Sequence, residues 1–305
     1  MDVEEAVLSD ALVGAEVDEV GEKIGENRYA IVRTRYEFWN VVEEDDGCGS
    51  SDSSDGTLDD EGDLKVRRRP KCRDFLVIDH TMATTLADVG LQVWHGALLL
   101  CDYVLYGRDQ IRGKVVLELG CGSGMTAICA AMAGADVVYA TDSDPKTLQM
   151  TERNVHLNQS LLPHQGATIR PRPLDWRQPL ADASSCWPLA DQDCFGQASV
   201  ILAADVIYDP DLNEALFTMI EKICEGRTQD TVVLVSLEKR YNFTLAALDV
   251  ACPAYTHFLA WMEQVQAKGW SAERMVTNDV PVCFSYRRSD DMELWKLTRA
   301  AVCIS

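Results

Sequence analysis

The sequence predicts a doubly wound α/β domain, in which helices cover both faces of a mostly parallel sheet. From residue 74 onward, short apolar runs alternate with helical stretches, and runs such as "KVVLELG" and "SVILAAD" are apolar at nearly every position. Strands that are apolar on both faces are typical of a parallel sheet buried between helices. A glycine-rich turn, "ELGCGSG", follows the first core strand, which is where open α/β sheets bind their ligands.

The predicted elements follow one another in a regular order. "DFLVI" predicts a strand, "TTLADVG" a turn and the start of a helix, and "LQVWHGALLLCDYVLYG" a helix that is apolar around most of its circumference. The core strands and helices then alternate as "KVVLELG", "MTAICAAMAGA", "VVYATD", "PKTLQMTERNVHLN", "SVILAAD", "DLNEALFTMIEKICEG" and "TVVLVSLE". The tail, "MVTNDVPVCFSYRRSDDMELWKLTRA", predicts two further antiparallel strands, joined by the polar turn "RRSDD" at one side of the sheet.

The N-terminal 64 residues differ in composition from the rest of the chain. They hold 20 Asp or Glu and 4 Lys or Arg, a net charge of −16 out of −21. Residues 1–27 and the Asp/Ser/Gly-rich run at 43–63 have too few apolar side chains to order themselves, so we expect both to be flexible. Between them, residues 28–42 have the composition of a strand at the edge of the main domain. The predicted units are an acidic segment at 1–64, a basic segment at 65–73 and a domain at 74–305.

The basic segment, "KVRRRPKCR", places six cations in nine residues. The pattern resembles a nuclear-import signal, and it is equally consistent with a solvated cluster that the preceding acidic run neutralises. The N-terminus, "MDVEEAVLSD", lacks the basic and apolar regions of a signal peptide, and no apolar run reaches membrane-spanning length. We therefore expect the protein in the nucleus, the cytoplasm or both, with no membrane partner.

Charge and cysteine content limit the expected partners. An acidic surface repels phosphate backbones, so direct binding of nucleic acid is disfavoured and a basic protein partner is favoured. The eleven cysteines include no Cys-x-x-Cys pair and have no histidine at ligand spacing, so neither a metal site nor a disulfide framework is indicated. Nothing in the sequence indicates an oligomeric state.

The spacing of the glycine loop separates several kinds of ligand. Gly120, Gly122 and Gly124 follow a G-x-G-x-G pattern, whereas a dinucleotide fingerprint needs its third glycine at the position of Met125. No stretch of the sequence fits the P-loop pattern. A nucleophile elbow centred on Ser123 lacks both of its glycines. The loop therefore indicates a different nucleotide-like ligand.

Acidic residues follow three successive core strands around this loop. Glu118 lies two residues before the first glycine, where it disfavours a pyrophosphate but suits a cofactor with an ammonium and a sulfonium group, as S-adenosylmethionine has. Asp142 ends the next strand, where a carboxylate can accept hydrogen bonds from both ribose hydroxyls. Asp175, followed by Trp176, stands where a carboxylate can accept the adenine amino group. Each acid alone is more often a helix cap or a solvated residue, but three together predict S-adenosylmethionine as the cofactor.

The sequence resembles the seven-strand methyltransferases, whose first motif is matched by "ELGCGSG", and more narrowly the family 16 lysine methyltransferases, whose D-x-x-Y signature is matched by Asp205 and Tyr208. "DHTMATTLADVGLQVWHGALLL" and "SLEKRYNF" extend the likeness from about residue 75 to the end. The resemblance implies a seven-stranded Rossmann-like sheet with an antiparallel C-terminal strand. It also implies Trp94 beside the cofactor, Asp205 and Tyr208 near the acceptor, and a lysine of a Kin-type nucleic-acid-binding protein as that acceptor.

In this interpretation Asp205 holds the incoming ammonium and Tyr208 shapes the channel, although Trp94 and Tyr208 are equally typical of core aromatics. A nucleobase acceptor is disfavoured because such enzymes carry a [DN]-P-P-[YFW] motif where this chain has "DVIY". The remaining alternatives are a non-catalytic adaptor with the same fold, a methyltransferase that acts on a small-molecule amine, and a nicotinamide dehydrogenase. The sequence leaves open whether Glu238, Lys239 and Arg240 contact the substrate or form a surface ion pair.

Overall fold

A computed structural model describes residues 7–8, 16–24, 29–41, 71–163, 167–183, 185–227, 229–244 and 249–300 of the chain. The predictions for the acidic run at 43–63 and for residues 65–70 of the basic segment lie outside the described residues. No helix in the described part of the chain combines the length and the apolar character that crossing a bilayer requires.

The first five strands form two small sheets that are separate from the main one. The strands are β1 (Val7–Leu8), β2 (Glu16–Ile24), β3 (Tyr29–Val41), β4 (Lys71–Thr81) and β5 (Ala83–Thr84). β2, β3 and β4 pair as an antiparallel sheet with β3 in the centre, and β1 pairs with β5. Within residues 1–27, for which the sequence predicts flexibility, β2 pairs with β3, and β3 supplies the backbone partners that an isolated acidic segment lacks. The strand expected at 28–42 is present as β3, which is central in this sheet and pairs with β4.

The main sheet confirms the predicted fold class. Its strands are β6 (Val115–Leu119), β7 (Val137–Asp142), β8 (Thr168–Pro173), β9 (Val200–Ala204), β10 (Thr231–Glu238), β13 (Ser271–Met275) and β14 (Met292–Arg299), and a short hairpin of β11 (Asn242–Thr244) and β12 (Asp249–Ala251) follows β10. The order is β13-β14-β10-β9-β6-β7-β8. All neighbours are parallel except the two pairs that β14 makes. This is a seven-stranded sheet with an antiparallel C-terminal strand.

Helices cover both faces of the main sheet. They are α1 (His95–Tyr106), α2 (Met125–Met132), α3 (Pro145–Leu157), α4 (Leu180–Ala183), α5 (Leu189–Phe195), α6 (Pro210–Cys224) and α7 (Pro253–Ala267). Val116 of β6 packs with Leu98 of α1 and Ile128 of α2, while the next residue, Leu117, belongs to the cluster of Phe217 on α6. Because successive strand side chains point to opposite faces, a strand with apolar side chains on both faces needs a helical layer on each side.

The helix predicted over residues 91–107 begins later than expected. Leu86–Leu91 forms a short 3₁₀ helix, and α1 starts at His95. Trp94 has an extended backbone, with φ of −118° and ψ of 153°, and precedes α1 as its N-cap. The Trp94 side chain therefore lies at the N-terminal end of α1 and not on the apolar face of that helix.

The C-terminal strand pair also differs from the prediction. β13 ends where the first predicted strand begins, and residues 276–291 connect it to β14 without another strand. The buried Asp102 carboxylate of α1 accepts the backbone N–H groups of Cys283 (2.8 Å) and Phe284 (3.1 Å) and pairs with Arg288 (2.6 Å). Because these backbone groups are bound to a side chain, they are not available to a strand ladder.

Candidate functional site

A cleft of about 920 Å³ opens at the carboxyl ends of β6, β7 and β9. Ligands of open α/β sheets bind at this edge. Nine of the ten predicted site residues line the cleft, namely Trp94, Glu118, Gly120, Gly122, Asp142, Asp175, Trp176, Asp205 and Tyr208. The tenth, Gly124, is the N-cap of α2.

The glycine loop has a backbone that only glycine adopts without strain. Gly120, Gly122 and Gly124 have φ angles of 74°, 52° and 79°. A Cβ on Gly120 would lie 2.8 Å from Val206 Cγ1, and a Cβ on Gly124 would lie 2.7 Å from Thr151 Cγ2. The three glycines therefore form a tight turn against which protein side chains already pack.

Glu118 is a buried carboxyl behind the glycine loop. It receives hydrogen bonds from the Thr126 hydroxyl and the Ala127 backbone, whereas its Oε2 has no hydrogen-bond partner among the described residues. Burial raises the pKa of Glu118 to about 8, against the smaller lowering effect of these two hydrogen bonds. A carboxyl that is mostly neutral at pH 7 ionises readily beside a cation, so this position suits a positively charged ligand group.

Asp142 ends β7 with a carboxyl that lines the cleft. Its oxygens accept the backbone N–H groups of Gly122 (3.3 Å) and Asp144 (3.1 Å). Burial raises the pKa of Asp142 to about 6, although these backbone hydrogen bonds oppose the shift. A carboxylate offers about four acceptor positions, so Asp142 can also accept hydrogen bonds from ligand hydroxyls.

Asp175 and Trp176 follow β8 and differ in how their polar atoms are satisfied. Both oxygens of Asp175 pair with Arg177, at 2.9 Å from Nε and 3.0 Å from Nη2, and this pairing lowers the pKa of Asp175. The Trp176 ring lies against the glycine loop, because a Cβ on Gly120 would be 3.1 Å from its Cζ2. Its indole Nε1 is buried without a hydrogen-bond partner in the described part of the chain. Asp175 is thus already paired, while Trp176 has an unsatisfied donor.

Asp205 connects the end of β9 to α1 and β10. Its Oδ2 accepts the backbone N–H of Gly96 (3.1 Å), and its Oδ1 accepts that of Glu238 (3.4 Å). The Arg240 Nη2 lies 3.1 Å from Oδ1, and the Asp205 side chain is only 1% exposed. The backbone of Asp205 is left-handed, with φ of 54°, which is uncommon for a residue with a side chain and persists where surrounding contacts impose it.

Trp94 lies between a cation and the 3₁₀ helix. The Arg240 guanidinium lies over the Trp94 ring, 4.5 Å from its centroid. The Trp94 Nε1 donates to the carbonyl oxygen of Val89 at 3.0 Å. Trp94 is therefore held from both sides as part of the cleft wall.

Glu238, which ends β10, and the two charged residues that follow it are paired within the protein. Glu238 Oε2 lies 3.0 Å from His95 Nδ1, and this contact holds the pKa of Glu238 below its usual range. Lys239 Nζ lies 2.9 Å from the buried Glu293. With Arg240 bound to Asp205, all three residues form ion pairs, while their contact with the substrate stays a prediction.

Tyr208 lines the cleft as a half-buried phenol. Burial raises the pKa of Tyr208 to about 12, and the charges of Asp142 and Asp209 act in the same direction. The hydroxyl therefore stays protonated at neutral pH. Tyr208 contributes an aromatic surface and a neutral hydroxyl to the cleft.

The 3₁₀ helix Leu86–Leu91 is the part of the cleft that the sequence did not identify as functional. Leu86, Ala87, Val89 and Gly90 all line the cleft. In the sequence this segment is the turn-like stretch "TTLADVG", which is also typical of an ordinary helix start, and it lies within the longer stretch that carries the family likeness.

Comparison with known proteins identifies the family. A family model described as lysine methyltransferase matches residues 76–249. Methyltransferase-like protein 22 of Mus musculus is 36% identical over 285 residues, covering 79% of this chain and 72% of that protein. The Homo sapiens protein of the same name is 34% identical over 290 residues, covering 80% and 71%. This chain belongs to the lysine methyltransferase family.

The family assignment confirms the resemblance found in the sequence, and the protein is an S-adenosylmethionine-dependent protein-lysine methyltransferase. Among solved structures, this methyltransferase is similar to magnesium protoporphyrin IX methyltransferase from Synechocystis PCC 6803 with bound SAM. That likeness has a TM-score of 0.41 and 17% identity, and it covers 67% of this chain and 80% of the other.

The cleft of the methyltransferase fits S-adenosylmethionine. Two buried polar atoms that line it, Glu118 Oε2 and Trp176 Nε1, have no hydrogen-bond partner among the described residues, as expected where a polar ligand completes the site. Glu118 would hold the cationic amino-acid part and Asp142 the ribose hydroxyls, while Trp94 and Trp176 would flank the ligand. No three His, Cys, Asp or Glu side chains in the described ranges are arranged to hold a metal ion.

Proposed function

We propose that this methyltransferase modifies a lysine of a basic nuclear nucleic-acid-binding protein, of the Kin type that the sequence resemblance implies. The observation that carries the proposal is the charge of the chain, which is −16 for residues 1–64 and, by difference from −21, −5 for residues 65–305. Attraction between opposite charges speeds association and favours basic protein partners over nucleic acid.

Carboxylates near the cleft support the same partner. Asp209 follows Tyr208 in the cleft wall and caps α6 by accepting the backbone N–H of Asp211 at 2.8 Å. Asp211 is exposed in the first turn of α6. Further along the same helix, Glu214 follows Asn213, and the Glu214 side chain is 72% exposed. A basic segment that brings its lysine to Tyr208 would therefore meet negative charge beside the cleft.

The acceptor lysine has to reach the cleft as a neutral, desolvated amine. When bound, S-adenosylmethionine would supply a methyl group on a sulfonium. The lysine amine would attack that methyl carbon in line with the carbon–sulfur bond, which breaks to leave S-adenosylhomocysteine. We place the acceptor beside Trp94 and Tyr208, whose rings remove water and so disfavour the ammonium form.

Asp205 borders this position, and we propose that it is required for transfer. Its expected role of holding the incoming ammonium stays a prediction, because the carboxylate already accepts N–H groups from Gly96, Glu238 and Arg240. Those contacts support a positioning role, in which Asp205 fixes Arg240 and the start of α1 beside the acceptor.

Methyl transfer from tritium-labelled S-adenosylmethionine to a purified Kin-type protein tests the proposal. We expect label in a lysine of that protein and none in its nucleic-acid ligand offered alone. Asp205→Asn should lose transfer while it still binds S-adenosylhomocysteine; loss of both would make Asp205 a cofactor or folding residue. Equal labelling of an acidic protein with a similar lysine content would contradict the charge argument.

The acidic run at 43–63 is proposed to assist docking by the same attraction. Replacing its Asp and Glu residues by Asn and Gln should raise the KM for the basic acceptor and reduce the salt dependence of that KM. This substitution leaves β2 and β3 in place, whereas deletion of residues 1–64 would also remove their sheet. An unchanged salt dependence would rule out the docking role.

We also propose that residues 65–73 direct the protein to the nucleus. A fluorescent reporter that carries residues 60–76 should accumulate there, and a matched reporter with the six cations replaced by glutamine should not. Cytosolic retention of the first reporter would contradict the proposal.

A further inference from the structure

The 3₁₀ helix Leu86–Leu91 forms one wall of the cleft and touches the glycine loop. A Cβ on Gly122 would lie 3.1 Å from the carbonyl oxygen of Gly90. A Cβ on Gly90 would lie 3.1 Å from Thr147 Oγ1 and 3.8 Å from Asp142 Oδ2. This wall therefore packs on the loop and on Asp142. Because 3₁₀ turns have poor hydrogen-bond geometry, the position of the wall depends on contacts from outside it.

The central strand of the N-terminal sheet supplies such contacts. The Tyr29 hydroxyl of β3 lies 3.0 Å from Asp88 Oδ2 and 3.1 Å from Thr85 Oγ1, and it accepts the backbone N–H of Thr85 at 3.1 Å. Ile31 of β3 packs with Leu91 at the other end of the 3₁₀ helix. The strand thus holds the wall at both ends, by hydrogen bonds at one and by apolar packing at the other.

The second oxygen of Asp88 connects the wall to α3. Asp88 Oδ1 pairs with Lys146 Nζ in the first turn of that helix. The helix is capped by Asp144, whose backbone N–H donates to Asp142 Oδ1 at 3.1 Å. Burial alone would raise the pKa of Asp88, but hydrogen bonds from Lys146 and Tyr29 hold it below its usual range. Asp88 is therefore an ionised residue shared by the N-terminal sheet, the 3₁₀ helix and α3.

We propose that Tyr29 and Asp88 are positioning residues for the cofactor. β3 holds the 3₁₀ wall against the glycine loop, so a strand outside the family-matched residues 76–249 sets the affinity for S-adenosylmethionine. The proposal rests on binding of the cofactor in this cleft. It assigns the N-terminal sheet a role in cofactor binding that is separate from the charge of the acidic run.

Calorimetric titration of S-adenosylhomocysteine into Tyr29→Phe tests the proposal. We expect a roughly tenfold weaker Kd, the size expected for losing a hydrogen bond to a charged group. The KM for S-adenosylmethionine should rise by a similar factor, while kcat at saturating cofactor and the KM for the protein acceptor stay unchanged. A purely structural defect would lower kcat and thermal stability without this selective effect.

Tyr255→Phe is the matched control, because the Tyr255 hydroxyl also donates to a carboxylate, Glu293, at 3.0 Å, and neither residue lines the cleft. It should keep wild-type affinity for S-adenosylhomocysteine. Asp88→Asn is the second variant and should weaken binding in the same way as Tyr29→Phe. Hydrogen exchange of residues 86–91 should slow on ligand binding in the wild type and slow less in both variants.

Wild-type affinity in both Tyr29→Phe and Asp88→Asn would overturn the proposal. So would an equal loss of affinity in Tyr255→Phe, because the effect would then be general destabilisation. Failure of the wild-type protein itself to bind S-adenosylhomocysteine would overturn the cofactor site, and this proposal with it.

Discussion

The guanidinium of Arg240 lies 3.1 Å from the Asp205 carboxylate. The same group lies 4.5 Å from the centre of the Trp94 ring. Arg240, which follows β10, therefore contacts two residues that the sequence predicts for the site, Trp94 and Asp205. Because Asp205 is almost fully buried, the pairing compensates a charge that would otherwise be costly in the interior.

Removing the Arg240 side chain should destabilise the protein. Arg240→Met leaves Asp205 buried with backbone partners only, and we expect a loss of about 1–3 kcal/mol in the free energy of unfolding. This loss is smaller than that for a fully buried pair, because the Arg240 side chain is 33% exposed. Urea unfolding measures the change. Lys222→Met, which breaks an exposed pair with Glu225, is the control and should have no measurable effect. Equal stability of the two variants would contradict the prediction.

Cofactor affinity should depend on pH through Glu118. Burial raises the pKa of Glu118 to about 8 in the ligand-free protein, and a cationic ligand favours the ionised form. Binding then releases a proton, so the affinity for S-adenosylmethionine should rise on the order of tenfold from about pH 6.5 to about pH 8 and level off above that. Calorimetry in buffers of different ionisation enthalpy measures both the affinity and the released proton.

Glu118→Gln is the control for this pH dependence, and its binding should be weak and nearly independent of pH. Its stability gives a second readout. The folded-state pKa of Glu118, about 8, lies above the ordinary value of 4.5, so its contribution to stability is present below pH 4.5 and is lost as pH rises through about 8. The ligand-free wild type should therefore lose thermal stability over this range relative to Glu118→Gln. Parallel curves for the two proteins would show that Glu118 does not titrate there.

Gly120→Ala should abolish cofactor binding. The new Cβ would lie 2.8 Å from Val206 Cγ1 and 3.1 Å from Trp176 Cζ2, so the loop or the cleft wall has to shift. Gly113→Ala is the matched control, because Gly113 has a similar φ of 68° and a Cβ added there would have no described atom within 4 Å. Gly113→Ala should lose about 1 kcal/mol of stability through backbone strain. Gly120→Ala should lose more, because the clash adds to the same strain, and only Gly120→Ala should fail to bind S-adenosylhomocysteine. Normal binding by Gly120→Ala would mean that the loop tolerates a side chain.

Tyr208 should act through its ring and not as a base. Burial raises the pKa of Tyr208 to about 12, so the hydroxyl is protonated at assay pH. We expect Tyr208→Phe to keep kcat within about threefold, whereas Tyr208→Ala should lose most activity because water reaches the acceptor. Steady-state kinetics with the protein acceptor measures both. A loss in Tyr208→Phe as large as in Tyr208→Ala would assign the function to the hydroxyl.

The sequence predicted the main sheet and most of the cleft from local patterns. Strands such as β6 and β9 are apolar on both faces, which requires a helix layer on each side. Glu118 and Asp142 end neighbouring parallel strands, and the carboxyl ends of parallel strands meet at one edge, so their proximity follows from strand order. The left-handed backbone of the glycine loop was predictable from its glycines, because only glycine adopts that backbone freely.

Contacts between distant segments were decided only by the tertiary structure. The sequence did not show that Arg240 pairs with Asp205 or that Tyr29 hydrogen-bonds to Asp88. It also did not show that the acidic strand β2 finds its backbone partners in β3. Periodicity and residue type report whether a side chain is buried, but they do not report which distant group it meets. That choice depends on how helices and strands pack in three dimensions, and a hydrogen bond or ion pair forms only when packing brings both partners within about 3 Å.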